Sequence, residues 1–190
     1  IGIASCLEPS GGNSSFEPLL NTKNKTTTWM ESCQLNVDAS GTVTARIHTT
    51  SSGQGHETLV STIVGEILEM DPDEISIARP NSIESLPGNS PVGSRMAIML
   101  GGAAGKAAKK IKEKIIIIAS HKLGFKKSEL SYQKGSVFAP DGSSMNWDEI
   151  IELCHRRVDQ LPNGMDPGLA SFDIMQVPTG GNLPKNDKVH

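Results

Sequence analysis

The chain has few aromatic residues, no strong charge of either sign and no long apolar run. Aromatic side chains make up 4% of its 190 residues, so a hydrophobic core has to be built from aliphatic side chains. The net charge of −3 lacks the basic excess that nucleic acid or an anionic membrane surface requires. The longest apolar run, residues 115–119, is too short to span a bilayer. We therefore expect no nucleic-acid partner and no membrane association.

Cysteine is also scarce. The three cysteines are Cys6, Cys33 and Cys154, and their odd number and wide spacing give neither a disulfide framework nor a zinc pattern. No basic segment followed by an apolar one opens the chain as in a signal peptide. These features predict buried free thiols in a cytoplasmic protein.

Strand and helix patterns alternate without a strict βαβ rhythm, which predicts an α+β fold with mixed strands and one long central helix. We expect a single lobe over 1–190, with a flexible loop at 9–27 and a loop-rich tail at 160–190. Both ends indicate a domain cut from, or encoded apart from, a longer chain. The predicted strands are 1–8, 28–37, 42–49 and 75–78, the helices 57–70, 92–123 and 146–158, and the hairpin 130–139 turns at Lys134-Gly135.

The long helix carries two distinct patterns. Its segment 101–108 is rich in glycine and alanine, which predicts close packing of another element. Its basic run, residues 106–114, is typical of a solvated helix face. Gly124 is expected to cap the carboxyl end.

The most informative stretch is Gly53-Gln54-Gly55-His56-Glu57, between a predicted strand and a predicted helix. A glycine turn that opens a helix points free backbone N–H groups at whatever lies before it, which suits an anionic or polar ligand. A second polar, glycine-rich loop, residues 86–95, also opens a helix. Two such loops in one small domain can converge on one ligand.

Three other patterns do not indicate a site. The segment 101–107 resembles a phosphate-binding loop, but it has one residue too few between its glycines and ends in alanine. Cys154-His155 points two ligand types to different faces of a helix. Ser52 and His56 are nucleophile and base types, but the nucleophile elbow is absent.

The order of the motifs resembles the molybdenum hydroxylase family of xanthine, aldehyde and carbon monoxide dehydrogenases, and within it the large, molybdopterin-binding subunit. The Gln-Gly-His-Glu form is most similar to the carbon monoxide and aldehyde dehydrogenase branch. The likeness covers nearly all of this chain but a minor part of that subunit. It rests on Gly2-Ile3-Ala4 with Glu8, Gly53 to Thr58, Asn89 to Arg95, and Gly101 to Ala104.

The resemblance implies a molybdopterin cofactor with molybdenum, in the cytosine dinucleotide form. Gln54 then contacts the pterin, and Gly55 allows its close approach. The loop before the long helix holds the phosphate and nucleotide side, through Asn89, Ser90, Gly93, Ser94 and Arg95. Two residues each have alternative roles. His56 either contacts the cofactor or caps the start of the helix. Arg95 pairs with phosphate, or else it binds a local carbonyl or pairs with Glu84. Glu57 is expected to compensate the helix dipole.

The resemblance also implies oxidative hydroxylation of an aldehyde, a heterocycle or carbon monoxide. Its electrons leave through iron–sulfur and flavin subunits or domains. The family's base glutamate has no match here, and Glu66 is expected to face solvent. We therefore expect a part of the cofactor cradle that is inactive alone, needs the remainder of the large subunit, and self-associates or binds a partner chain. The rival hypotheses are a retained fold without cofactor and an unrelated nucleotide-binding domain.

Overall fold

The computed structural model describes residues 2–5, 23, 29–81, 83–89 and 91–176. Its main sheet has four strands in the order β3-β2-β1-β7, with β1 antiparallel to β2 and β7 and with β2 parallel to β3. A small antiparallel sheet has the order β4-β5-β6. The strands are β1 (Glu31–Val37), β2 (Val43–Ile47), β3 (Ile75–Ala78), β4 (Ser131–Gln133), β5 (Ser136–Phe138), β6 (Ser144–Met145) and β7 (Leu169–Met175).

Three α-helices complete the mixed α+β fold that the sequence predicts: α1 (His56–Leu68), α2 (Met96–Leu123) and α3 (Trp147–His155). Helices α1 and α2 cover one face of the main sheet. The core between them is aliphatic, as the scarcity of aromatic residues requires, and the alternate residues of β1 and β2 that enter it are Cys33, Leu35, Val37, Val43, Ala45 and Ile47.

The glycine-rich part of α2 lets two elements approach it. A Cβ atom built on Gly101 would lie 2.8 Å from the Ile63 Cδ1 atom of α1. A Cβ atom on Gly102 would lie 2.9 Å from the Met175 Cγ atom of β7. The predicted close packing is therefore confirmed, and it places α2 between the other helix and the end of the sheet.

Most predicted elements are confirmed within a few residues, including the hairpin at Lys134-Gly135, where both φ angles are positive. Gly124 caps α2 in the left-handed region, and its N–H donates to Ser120 O. The predicted first residue of α2 is wrong by four positions. Gly93 and Ser94 have φ angles of 66° and 49°, which no α-helix contains, so the helix begins at Met96.

Two further expectations are corrected. The described part of the predicted strand 1–8, residues 2–5, forms no strand, and residues 1 and 6–8 lie outside the described part. The interpretation of everything after the third helix as loop is wrong at β7, which pairs with β1 along its whole length. The predicted flexible loop at 9–27 lies, except for Lys23, outside the described residues.

The basic run of α2 is exposed at Lys106, Lys109 and Lys110, as predicted for a solvated helix face, but some of its lysines also bind backbone oxygens of a neighbouring segment. Lys106 Nζ donates to Ile174 O at 3.3 Å, and Lys110 Nζ donates to Phe172 O at 3.1 Å. Lys114 Nζ donates to Asp166 O at 2.7 Å. Through these hydrogen bonds, the three lysines bind the segment that contains β7 to the long helix.

Candidate functional site

The turn that precedes α1 is built around Ser51. The Ser51 hydroxyl accepts a hydrogen bond from the His56 N–H at 2.7 Å and donates one to Glu57 Oε2. Gly53 and Gly55 have φ angles of 102° and 72°, which a side chain would strain. The glycine turn and the serine together bring the chain from β2 into the first turn of α1.

The Glu57 carboxylate has two side-chain partners, Ser51 and Arg79, in addition to its place at the start of the helix. The Ser51 hydroxyl holds the pKa of the Glu57 carboxyl below its usual range, and Arg79, whose Nε lies 3.2 Å from Glu57 Oε1, lowers it further. The carboxylate therefore stays charged and stabilises the positive end of the helix.

His56 is the first residue of α1 and is 5% exposed. The cap residue of the helix is Gly55, which has no side chain, and the His56 Nδ1 atom has no hydrogen-bond partner among the described residues. A buried polar atom without a partner costs free energy, and a ligand atom that bonded to His56 Nδ1 would remove that cost. Of the two alternatives for His56, the structure does not show the capping role.

The loop before α2 ends in two residues with positive φ, Gly93 and Ser94, and Arg95 is the residue at which the helix is capped. Both loop residues are exposed, whereas Arg95 is completely buried. The Arg95 guanidinium forms an ion pair with Glu31 of β1, also completely buried. Of the alternatives left open for Arg95, the pairing with Glu84 is not found, because Glu84 binds Arg46 at 2.8 Å.

The two helix starts face one pocket of about 400 Å³. Its wall contains polar groups from both loops and apolar side chains from the first turns of both helices. The lining residues are Gln54, His56, Leu59, Pro91, Ser94, Arg95, Met96 and Ala97. Pockets of this size and mixed lining are typical of small-molecule sites. The sequence-based expectation that the two loops converge is therefore met in the structure.

The residues predicted for the site are distributed unequally around this pocket. Gln54, His56, Ser94 and Arg95 line it, and Gly55 and Gly93 shape the two turns beside it. Asn89 lies behind the loop, where its Oδ1 accepts the Met30 N–H at 3.2 Å. Ser90 lies outside the described residues. The Gln54 side chain folds back, and its Oε1 accepts the Ser52 N–H.

Three residues around the site were missed from the sequence. Ser51 fixes the first turn, and Glu31 and His48 stand behind the second loop, with His48 Nδ1 2.7 Å from Glu31 Oε2. Capping rules do not find Ser51, because it lies four residues before the cap residue Gly55. Nothing local in the sequence marks Glu31, since its partner lies 64 residues away.

A second pocket, of about 710 Å³, lies at the opposite end of α2. The turn between β1 and β2, helix α3 and the end of α2 surround it. None of the predicted site residues reaches it.

Neither a metal-ligand cluster nor a membrane-spanning helix occurs in the described part of the chain. No group of three or more His, Cys, Asp or Glu residues there can hold a metal ion. No helix within residues 29–81, 83–89 and 91–176 has the length and apolarity to cross a membrane.

Comparison with solved structures shows the class of the fold. The chain superimposes on the crystal structure of quinoline 2-oxidoreductase from Pseudomonas putida with a TM-score of 0.73 at 24% identity. The match covers 91% of this chain and 22% of the larger one. The chain thus shares its fold with about a fifth of that oxidoreductase.

Sequence comparison shows the family itself. Residues 1–175 match the model of the molybdopterin cofactor-binding domain, and the chain therefore belongs to that family. It is 30% identical over 148 residues to the carbon monoxide dehydrogenase large chain of Afipia carboxidovorans, covering 78% of this chain and 18% of that one. It is 25% identical over 171 residues to the nicotine 6-hydroxylase large subunit of Paenarthrobacter nicotinovorans, covering 89% and 21%. The chain spans about a fifth of the length of these relatives.

Proposed function

We propose that the pocket between the starts of α1 and α2 holds part of a molybdopterin cofactor, in its cytosine dinucleotide form. The observation that carries this proposal is the convergence of two helix N-termini on one pocket whose buried His56 Nδ1 has no partner among the described residues. The family of the chain supports the identity of the ligand.

The donors in this pocket fit such a cofactor. Helix N-termini present unpaired N–H groups and a positive dipole end, which suit the anionic phosphates of a dinucleotide. The Gln54 amide and the His56 ring offer hydrogen bonds to the edges of a pterin. A Cβ atom on Gly53 or Gly55 would meet nothing within 4 Å, so open space lies in front of this turn.

The described residues of this pocket bind and orient the cofactor, and none of them is a carboxylate that could act as the general base. No carboxylate is among the described residues that line the pocket, and Glu57 is held by Ser51 and Arg79. When bound, the cofactor supplies two-electron oxidation at molybdenum. The general base that the resemblance implies has to come from another part of the enzyme.

The complete enzyme is proposed to be an oxidoreductase that hydroxylates an aldehyde, a heterocycle or carbon monoxide. Its remaining parts are the rest of the large subunit and iron–sulfur and flavin subunits, and the assembly also forms homo-oligomers. The names of the relatives, a large chain and a large subunit, support an enzyme of several subunits. Those names specify different substrates, so the substrate class stays open between them.

The test is the cofactor content of the complete large subunit that contains this chain, produced in a host that makes molybdopterin. Molybdenum is measured by elemental analysis and pterin by fluorescence after oxidation. We expect both in the wild type and a loss of both in Gln54→Ala and His56→Gln. Gln160→Ala, beside the other pocket, and His121→Gln, exposed on α2, are the matched controls and should keep the cofactor.

The rival hypotheses predict different results. A stable wild-type subunit with neither molybdenum nor pterin would favour a retained fold without cofactor. Tight binding of a simple mononucleotide, lost in the same two variants, would favour an unrelated nucleotide-binding domain. Either result would contradict the proposal.

A further inference from the structure

We propose that Glu31 is the positioning residue of this pocket: from behind the wall, it fixes the loop 87–95 and thereby the start of α2. Glu31 itself does not line the pocket, and it acts through Arg95 and Asn89. The positioning role stands on geometry alone, and its consequence for ligand binding rests on the function proposed above.

The two carboxylate oxygens of Glu31 have different neighbours. One oxygen, Oε1, accepts from the Arg95 guanidinium and from the Asn89 N–H, the latter at 3.2 Å. The other, Oε2, lies 2.7 Å from His48 Nδ1, without the geometry of a hydrogen bond. A single side chain on β1 therefore binds Asn89 and Arg95, on either side of Pro91, Gly93 and Ser94, and also lies beside His48, the residue after β2.

The same loop contacts residues 30–32 and His48 at three successive residues, 87, 88 and 89. The Ser32 hydroxyl donates to Pro87 O, and the Met30 N–H donates to Asn89 Oδ1. Between them, a Cβ atom on Gly88 would lie 2.3 Å from the ring of His48, so only glycine allows this approach. The first half of the loop is thus bound to residues 30–32, of which Glu31 is the middle one, and lies against His48.

The second half of the loop depends on the ion pair. Arg95 both lines the pocket and stands at the cap of α2, and its guanidinium lies 5.9 Å from the Trp29 ring. A completely buried cation needs a charged partner, because removal of either member leaves the other charge uncompensated. Arg95 is therefore held in place by its ion pair with Glu31, and a displacement of Arg95 would also displace the N–H groups at the start of α2.

A pair that merely stabilises the fold would behave differently from a positioning residue. Loss of general stability raises amide exchange throughout the core, including β1 and β2. Loss of positioning raises exchange in the loop while helix α1 and the sheet keep their protection. Hydrogen exchange resolved by peptide separates the two cases, and it needs no bound cofactor.

The experiment compares Glu31→Gln, Glu31→Asp and the control Glu113→Gln, on the exposed face of α2, in the complete subunit. For Glu31→Gln we expect exchange in 86–95 to rise about ten-fold, with 56–68 unchanged, and the bound cofactor to fall about ten-fold. Glu31→Asp should restore part of both losses. Unchanged loop exchange in Glu31→Gln, or an equal rise throughout the core, would overturn the proposal.

A double variant covers the case in which Glu31→Gln does not fold. Glu31→Gln with Arg95→Gln leaves no isolated buried charge and should fold. Its loop should exchange faster than that of the wild type, and a wild-type rate would overturn the proposal. If the wild type itself contains no cofactor, the proposed function fails, whereas the exchange data still decide whether Glu31 positions the loop.

Discussion

Lys110 of α2 binds two atoms of β7: its Nζ lies 2.7 Å from Asp173 Oδ2 and 3.1 Å from Phe172 O. Lys106, one helical turn earlier, binds Ile174 O, and the Ile174 N–H donates to Asp173 Oδ1. Three backbone groups of β7, Phe172 O, Ile174 O and the Ile174 N–H, are thus occupied by side chains. Edge strands promote aggregation when these groups are free, and lysine is a common protection against it.

Removal of both lysines is expected to expose this edge. Lys106→Ala with Lys110→Ala should increase the aggregated fraction on heating, measured by light scattering. Lys109→Ala, which removes one positive charge from the same helix at a residue that does not bind β7, is the control and should behave as the wild type. Equal aggregation of the control and the double variant would attribute the effect to net charge instead.

Two helical glycines are expected to respond oppositely to alanine. A Cβ atom on Gly65 would lie 2.9 Å from Met70 O, a backbone atom that cannot move aside, so Gly65→Ala should lower the free energy of unfolding by about 1–3 kcal/mol. A Cβ atom on Gly105 would lie 3.6 Å from the Ile63 and Ile67 side chains, an ordinary contact. Gly105→Ala should raise it by about 0.5–1 kcal/mol through helix propensity. Denaturant unfolding of both variants checks this, and the same sign in both would contradict it.

Acid stability should depend on Ser51. The pKa of Glu57 is lowered in the folded chain, chiefly by the Ser51 hydroxyl, so the unfolded state binds a proton at a higher pH than the folded state. The resulting stabilisation is present above the unfolded pKa near 4.3 and is lost as the pH falls through the lower, folded value. Ser51→Ala should reduce the pH dependence of stability below about pH 5, and Ser61→Ala, on the exposed side of α1, should not. Identical acid profiles for wild type and Ser51→Ala would contradict this.

Cys33 and Cys154 should be unreactive in the folded chain. Burial raises the pKa of the Cys33 thiol to about 12 and that of Cys154 to about 11, and both side chains are fully buried. The thiolate is the reactive form, so at neutral pH neither should react with an alkylating reagent until the chain unfolds. A Cys6→Ser variant restricts the measurement to these two, and rapid native alkylation would contradict the expectation.

The elements whose apolar residues repeat at strand or helix spacing, and so face the core, were predicted from the sequence. Strands β1 and β2, with apolar residues on alternate positions, and α2, with apolar residues at helical spacing, fall close to their expected places. The prediction failed at β7, because the strand's inward positions include Ser171 and Asp173. The Ser171 hydroxyl donates to Ala107 O, and Asp173 pairs with Lys110, so these polar groups face a helix.

The glycine turns before two helices predicted that the two loops converge, and the structure places Gln54, His56 and Ser94 around one pocket. The pairing of Glu31 with Arg95 could not be predicted, because it depends on the fold to bring together residues far apart in the chain. For the same reason Glu31 was not among the partners considered for Arg95.

An experimental structure of the complete enzyme, purified with its cofactor, would test directly whether the pocket between the starts of α1 and α2 holds the cofactor. We expect cofactor density in the pocket of Gln54, His56 and Ser94, with a polar cofactor atom within hydrogen-bond distance of His56 Nδ1. Cofactor density elsewhere, for example in the larger pocket beside α3, with the His56 pocket filled by other side chains, would contradict the proposed function.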